Sequence, residues 1–174
     1  AGFTPNDFLN EKSPFNVHHL DLGYFETKHD AEVAVMDAVR AGKLDALAIN
    51  PSTIYGPGDA KKGSRGTQLK VARGKFPFYT SGGVNIVHVD DVVNLCIKAF
   101  RQGAPGERTI ACGENLTIKD MFERIADLAG AKAPAFQMPK PALFALGKIG
   151  DAMDAIGLKG PISTENAWTS TLFH

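Results

Sequence analysis

Cysteine is nearly missing from this chain: Cys96 and Cys112 are the whole supply in 174 residues. That excludes a disulfide-stapled scaffold, and the lone pair reads as two buried, reduced thiols. Nor is there an excess of one charge sign, because Lys plus Arg and Asp plus Glu number 19 each. Such a balance draws the chain neither to nucleic acid nor to an anionic membrane surface. Long apolar runs are absent too, each being broken by Lys, Asp or Gly well short of the ~20 residues a membrane helix needs. Residues 1–7 lack the basic-then-apolar order of a secretory signal. His18, His19, His29, His88 and His174 stand at no metal-ligand spacing with Cys or carboxylates, so no metal is expected. Repeats and low-complexity tracts are lacking. What these exclusions leave is a soluble, cytoplasmic protein. The sequence opens without Met on Ala-Gly-Phe-Thr-Pro and ends in the apolar stretch Trp168 to His174, which reads as a fragment.

A hydrophobic content of 44% is enough for a packed core in one domain. Residues 1–22 read as loop. The spacing predicts a helix over 24–40, with Tyr24, Lys28, Ala31, Val35 and Val39 on one face and Gly42 as its stop. Asp45 to Ile49 follows as a short apolar strand of the kind a parallel sheet buries on both faces. Gly56 to Gly66 is a glycine-rich connection into a helix at about 67–73. A strand is expected over 85–89, then a helix capped by Asp90 that carries Val92, Val93, Leu95, Cys96, Ala99 and Phe100. Arg108 to Cys112 is a further strand. Thr117 and Asp120 form a capping box before a helix that ends at Gly130. A Pro-bounded helix at 141–156 and another after Ser163 complete an α/β alternation.

The chemistry begins at Tyr24-Phe25-Glu26-Thr27-Lys28. A spacing of four sets a phenol and an ammonium on one helix face, within reach of one substrate. Tyrosine phenols in open peptides titrate near ~10 and keep their proton at neutral pH. A cation ~4 Å away favours a phenolate by about 4 kcal/mol at an effective dielectric near ~20, before desolvation opposes it. Alone, the pair is no more specific than any amphipathic surface helix. Its context decides. The helix feeds a buried strand that ends in Asn50-Pro51-Ser52-Thr53-Ile54-Tyr55-Gly56-Pro57-Gly58-Asp59, and open α/β sheets bind ligands at the carboxyl ends of their strands. The run from Gly58 to Arg65 imitates phosphate-loop glycine spacing, but no Lys follows its second Gly and no strand leads into it. It reads as a solvated loop. His88 reads as a satisfied or pocket-lining side chain, and Asp90-Asp91 as helix capping rather than a catalytic carboxylate pair.

Tyr-x-x-x-Lys, a helix remainder, a strand and then Asn-Pro-Ser-Thr-Ile-Tyr-Gly-Pro-Gly-Asp together resemble the extended short-chain dehydrogenases/reductases, the NAD-dependent epimerase/dehydratase family. Within it they most resemble the dihydroflavonol-4-reductase-like branch. Val87-His88-Val89-Asp90-Asp91-Val92 agrees in order and spacing. So does Gly106-Glu107-Arg108 leading to Gly113-Glu114-Asn115-Leu116-Thr117. The resemblance covers about residues 1–140.

It implies an incomplete Rossmann-like parallel sheet with a small C-terminal substrate-binding lobe. Residues 1–56 would be the C-terminal part of the Rossmann-like domain, and 57–174 mainly the lobe, with 85–113 returning to the sheet. By the same resemblance Tyr24 is the acid/base, while Lys28 holds the nicotinamide ribose and favours the phenolate. Pro51, Ser52, Thr53 and Ile54 would run beside the nicotinamide of NAD or NADP, and Tyr79 and His88 would meet substrate. The helix Tyr24–Arg40 would build a homodimer. The assisting Ser or Thr is expected upstream of Ala1, Thr4 being a poor substitute, and the glycine-rich pyrophosphate loop is expected outside these residues as well. The fragment alone is therefore expected to be inactive. The implied function is an NAD(P)-dependent oxidoreductase acting on a carbonyl or secondary alcohol. The alternatives are a nucleotide-sugar epimerase or dehydratase, and a non-catalytic fragment or interaction module. No Arg stands in Ser81 to Ile86, where nucleotide-sugar enzymes of the family usually carry one for the diphosphate, and this favours a non-nucleotide substrate.

Overall fold

A computed structural model of the chain describes residues 9–58 and 65–172. Thr4, most of the glycine-rich connection and His174 lie outside the described residues. Helices and parallel strands make a mixed α/β, Rossmann-like fold in two compact units. One holds the residues up to Pro57 together with Asn85–Glu114; the other holds Gly58–Val84 and Asn115–Phe173. No described helix is long and apolar enough to cross a membrane.

The first unit opens with a 3-10 turn at His18–Leu20 and the helix α1, Gly23–Arg40. Gly42 ends α1 by adopting φ +67, a left-handed conformation that a side chain would resist, and its amide donates to the Val39 carbonyl. The inward face of α1 differs from the expected one. Phe25, His29, Glu32, Met36 and Val39 turn inward, whereas Tyr24, Lys28, Ala31 and Val35 are exposed. Both stripes have helical spacing, and only what packs against the helix selects between them.

The strand expected at 45–49 begins later. Ala46 only accepts from the Gly106 amide, and β1 runs Ala48–Pro51, parallel to β5, Arg108–Ala111. The Ser52 amide still donates to the Ala111 carbonyl, and the chain then changes partners. Where a loop was expected, Thr53–Tyr55 forms β2, parallel to Ile86–His88 of β4, Gly83–His88. Parallel pairing of this kind satisfies backbone groups that a loop would leave to water. Val87, Val92 and Ala111 form the core here, with Ile49, Ile54 and Leu95 packed on it.

Helix α3 spans Val89–Gln102. Its cap is His88, not Asp90: the Asp90 amide donates to His88 Nδ1 (3.2 Å), which leaves both aspartates in the first turn, where they complement the helix dipole. Its buried stripe is narrower than the sequence promised. Val92 is buried with Leu95 and Ala99 beside it, while Val93, Cys96 and Phe100 are exposed, Phe100 to 91%. Both cysteines are free and exposed, which corrects the expectation of buried thiols.

The second unit holds α2 (Gly66–Ala72), β3 (Phe78–Tyr79), α4 (Ile118–Leu128), β7 (Phe136–Gln137), α5 (Lys140–Ala155) and α6 (Thr164–Thr169). Strand β6, Glu114–Thr117, leads into it and lies next to β4; it and the two-residue pair β3–β7 were not foreseen. Thr117 caps α4 as expected, accepting from the Asp120 amide at 3.0 Å, and Ser163 caps α6 through the Asn166 amide. Phe76, Phe78, Phe122 and Phe136 form a chain of tilted and edge-on rings.

Candidate active site

The exposed face of α1 carries the candidate pair. Tyr24 is 63% exposed, and Lys28 Nζ lies 5.8 Å from the centre of its ring. The Phe25 ring stands edge-on to Tyr24 at 5.6 Å, which restricts the phenol's sideways swing. One turn further, Thr27 donates its hydroxyl to the Gly23 carbonyl, holding the first turn of the helix. The turn before α1 is tied down as well: His18 Nδ1 and Glu26 Oε2 are 2.8 Å apart, and Phe15 stacks on His29 at 4.3 Å.

Pro51, Ser52, Thr53 and Ile54 form the second part. They lie where the chain exchanges one strand partner for another, directly after the carboxyl end of β1. Open α/β sheets place their ligand crevice at such ends. Ile54 turns its side chain into the core, so its exposed contribution is backbone. Ser52 Oγ is buried without a hydrogen-bond partner. A buried hydroxyl left unpaired costs free energy, and a ligand amide would relieve that cost. The residues present thus fit the nicotinamide-ribose end of a dinucleotide: an exposed phenol and ammonium on one face, and an extended segment with an unused hydroxyl.

The remaining candidates are dispersed. His88 caps α3 in the first unit, with Nδ1 occupied by the Asp90 amide and its side chain half exposed. Tyr79 ends β3 in the second unit. Among the described residues no group of three or more His, Cys, Asp or Glu could hold a metal ion.

A polar cluster that the sequence reading did not single out lies below the pair. Glu32, four residues after Lys28, accepts from Asn50 Nδ2 at 2.8 Å through Oε2, and its Oε1 pairs with Arg108 Nε. Arg108 also donates to the Glu11 carbonyl (2.8 Å), and the Ile110 amide donates to Glu11 Oε1 (3.0 Å). That amide, the residue's own backbone N–H and the Arg108 charge hold the Glu11 carboxyl below the ordinary carboxylate range. Continuation of the Tyr24, Lys28 spacing to an acidic Glu32 was the available signal.

The profile of the NAD dependent epimerase/dehydratase family matches residues 4–113. The chain belongs to that family. It is 28% identical over 156 residues to sterol demethylase protein B of Methylococcus capsulatus, covering 88% of this chain and 47% of that protein. A Synechocystis sp. protein named for dihydroflavonol 4-reductase is 30% identical over 128 residues, with 71% of this chain and 37% of the relative covered. Among solved structures, gox2253 superposes with a TM-score of 0.78 at 30% identity, over 99% of this chain and 53% of its own. The chain thus spans about half or less of the length of these relatives. The family is NAD-dependent, so its cofactor class is a nicotinamide dinucleotide.

Proposed function

We propose that the protein is an NAD(P)-dependent oxidoreductase that reduces a carbonyl or oxidises a secondary alcohol, in the manner of the dihydroflavonol-reductase-like branch. The observation that carries this reading is the Tyr24–Lys28 pair on the exposed face of α1, phenol beside ammonium. A bound nicotinamide supplies or accepts the hydride. Tyr24 hands its phenolic proton to the substrate oxygen in reduction and takes it back in oxidation. Lys28 hydrogen-bonds the ribose and, as a nearby cation, favours the phenolate left behind. Pro51 through Ile54 line the nicotinamide, with Ser52 Oγ free to meet its carboxamide. Tyr79 and His88 are the substrate-side candidates.

A nucleotide-sugar epimerase or dehydratase would begin with the same hydride step. The absence of Arg from Ser81 to Ile86 favours the simpler carbonyl chemistry. The working protein is a homodimer built through α1, whose exposed face presents Val33 and Val35 beside the reactive pair, and size exclusion with light scattering tests that assembly.

The chemistry is tested in the full-length protein, following NADH and NADPH oxidation across a panel of ketones and aldehydes. Tyr24→Phe is expected to lower turnover by ~10²–10⁴ while leaving cofactor affinity near wild type. Lys28→Ala should weaken cofactor binding and slow the reaction together. Near-normal turnover by Tyr24→Phe would remove the acid/base role and the function with it.

A further inference from the structure

We infer that Glu32 is a positioning residue for the Tyr24–Lys28 pair: its one carboxylate sets α1 on the two strands that end at the cofactor wall. The inference rests on the function proposed above and extends it to a residue that touches neither cofactor nor substrate.

Consider first what else fixes α1. Met36 is its one buried side chain, Phe25, His29 and Val39 are half-buried, and the His18–Glu26 and Phe15–His29 contacts hold its first turns to the preceding loop rather than to the strands. Apolar burial of that extent is non-directional and resists sliding and rotation against the strands weakly. Directional bonds are then what set the register. Glu32 accepts one such bond, from Asn50 Nδ2 to Oε2 at 2.8 Å, and its Oε1 forms an ion pair with the Arg108 guanidinium. Asn50 precedes Pro51, the first residue of the segment assigned to the nicotinamide. Its backbone pairs with Ile110, and Arg108 pairs with Ala48, so both partners of Glu32 sit on the β1–β5 ladder. Glu32 also stands one helical turn below Lys28, about 6 Å along the axis. The carboxylate therefore couples the height and rotation of the Tyr24–Lys28 face to the strand end that would carry the ring receiving the hydride. Arg108 is held in turn by the Glu11 carbonyl, which keeps its guanidinium from following Glu32 if the helix shifts.

An ion pair exposed on both sides would carry no such argument. Here the side-chain exposures are 21% for Glu32 and 36% for Arg108, and the Asn50–Glu32 bond is part-buried. Charged hydrogen bonds in that setting are stronger and more directional than surface pairs.

The test uses full-length protein and NADH as probe, read by enhancement of nicotinamide fluorescence on binding and by hydrogen exchange of α1. Glu32→Ala is expected to raise the NADH Kd by about 10-fold, by analogy with the loss of groups that orient a primary ligand. It should also lower turnover on any carbonyl the wild type reduces by ~10–100-fold, as for a small misplacement of reacting groups. Exchange should quicken in the 24–32 amides while α3 keeps its protection. Glu32→Gln, which retains an acceptor and a donor without the charge, should restore part of the fluorescence enhancement. Wild-type Kd, enhancement and turnover in Glu32→Ala would overturn the inference. So would losses that merely track the unfolded fraction, with the folded fraction binding NADH as wild type does. Should Glu32→Ala fail to fold, Asn50→Ala removes one bond only and is expected to show a smaller loss of the same kind; wild-type values there would overturn the inference equally. Tyr24→Phe runs alongside. Normal turnover in that variant brings down the parent function and this inference together, whereas slow turnover there with a wild-type Glu32→Ala brings down this inference alone.

Discussion

The long helix of each unit is held in place by a different kind of force. In the unit of Gly58–Val84 and Asn115–Phe173, Val71, Ala126, Leu143 and Ala167 are wholly buried. There α5 meets the segment leading into α6 so closely that a Cβ on Gly150 would stand 1.9 Å from the Ile162 carbonyl oxygen. Phe144 packs on Trp168 with ring centres 4.6 Å apart. In the unit that bears Tyr24 and Lys28, Val87, Val92 and Ala111 form a core between strands and α3, but the long helix α1 buries one side chain and meets the strands through Glu32, Asn50 and Arg108, with Glu11 bonded to Ile110. Apolar burial is non-directional and scales with area, so it supplies stability. Polar links supply orientation at little net gain. The candidate pair thus stands on the helix that is placed more by oriented polar links than by apolar burial.

Leu143→Ala challenges that contrast most directly. A fully buried leucine loses its transfer energy and leaves a cavity, for an expected cost of about 2–5 kcal/mol. Gly150→Ala, forced against a carbonyl, should cost about 1–3 kcal/mol or more. Trp168 is the chain's single tryptophan and lies in this unit, so its fluorescence follows the melting there. Met36→Ala is the matched change in the other unit. It should fall at the low end of the range, because the side chain retains 8% exposure. Equal costs for Leu143→Ala and Met36→Ala would erase the difference between the units.

Much of this architecture was legible in the sequence, for reasons that are local. The extents of α1, α2, α4 and α5 and the start of α6 were legible, aided by caps and stops such as Gly42, Thr117, Gly130 and Ser163, whose signals act within a turn. Helical spacing put Tyr24 and Lys28 on one face, while the role expected of them came from the strand and loop that follow and from the family resemblance. What failed depended on partners distant in sequence. Choosing the buried stripe of α1 required knowing that Glu32 meets Asn50 and Arg108. The start of β1 required Gly106 and Glu107, and β2 required Ile86 to His88. His88 displaced Asp90 as cap because the strand runs up to the helix without a loop, which leaves the imidazole, not the carboxylate, beside the open amide. Val93 and Phe100 looked like core because composition cannot say which apolar stripe of α3 meets the sheet.

The smallest expected effect tests the polar side of the comparison through pH. Glu11 accepts the Ile110 amide of β5, whose ladder partner is β1. The carboxylate thus stands where a further strand would offer a carbonyl, and it shields that edge. Its pKa in the folded chain lies below 4.5. A lowered folded value means that the carboxylate contributes stability at every pH above 4.5, and that the contribution fades as pH falls through the folded value. Glu11→Gln keeps an acceptor oxygen but loses the charge. Exchange of the Ile110 amide should therefore be faster in Glu11→Gln than in wild type at neutral pH, after correction for intrinsic rates. The gap should narrow on acidification and close once the wild-type carboxyl is protonated. A gap unchanged from neutral pH down to that point would assign the protection of Ile110 to shape and not to charge, and the first unit would then owe less to its polar links than its geometry indicates.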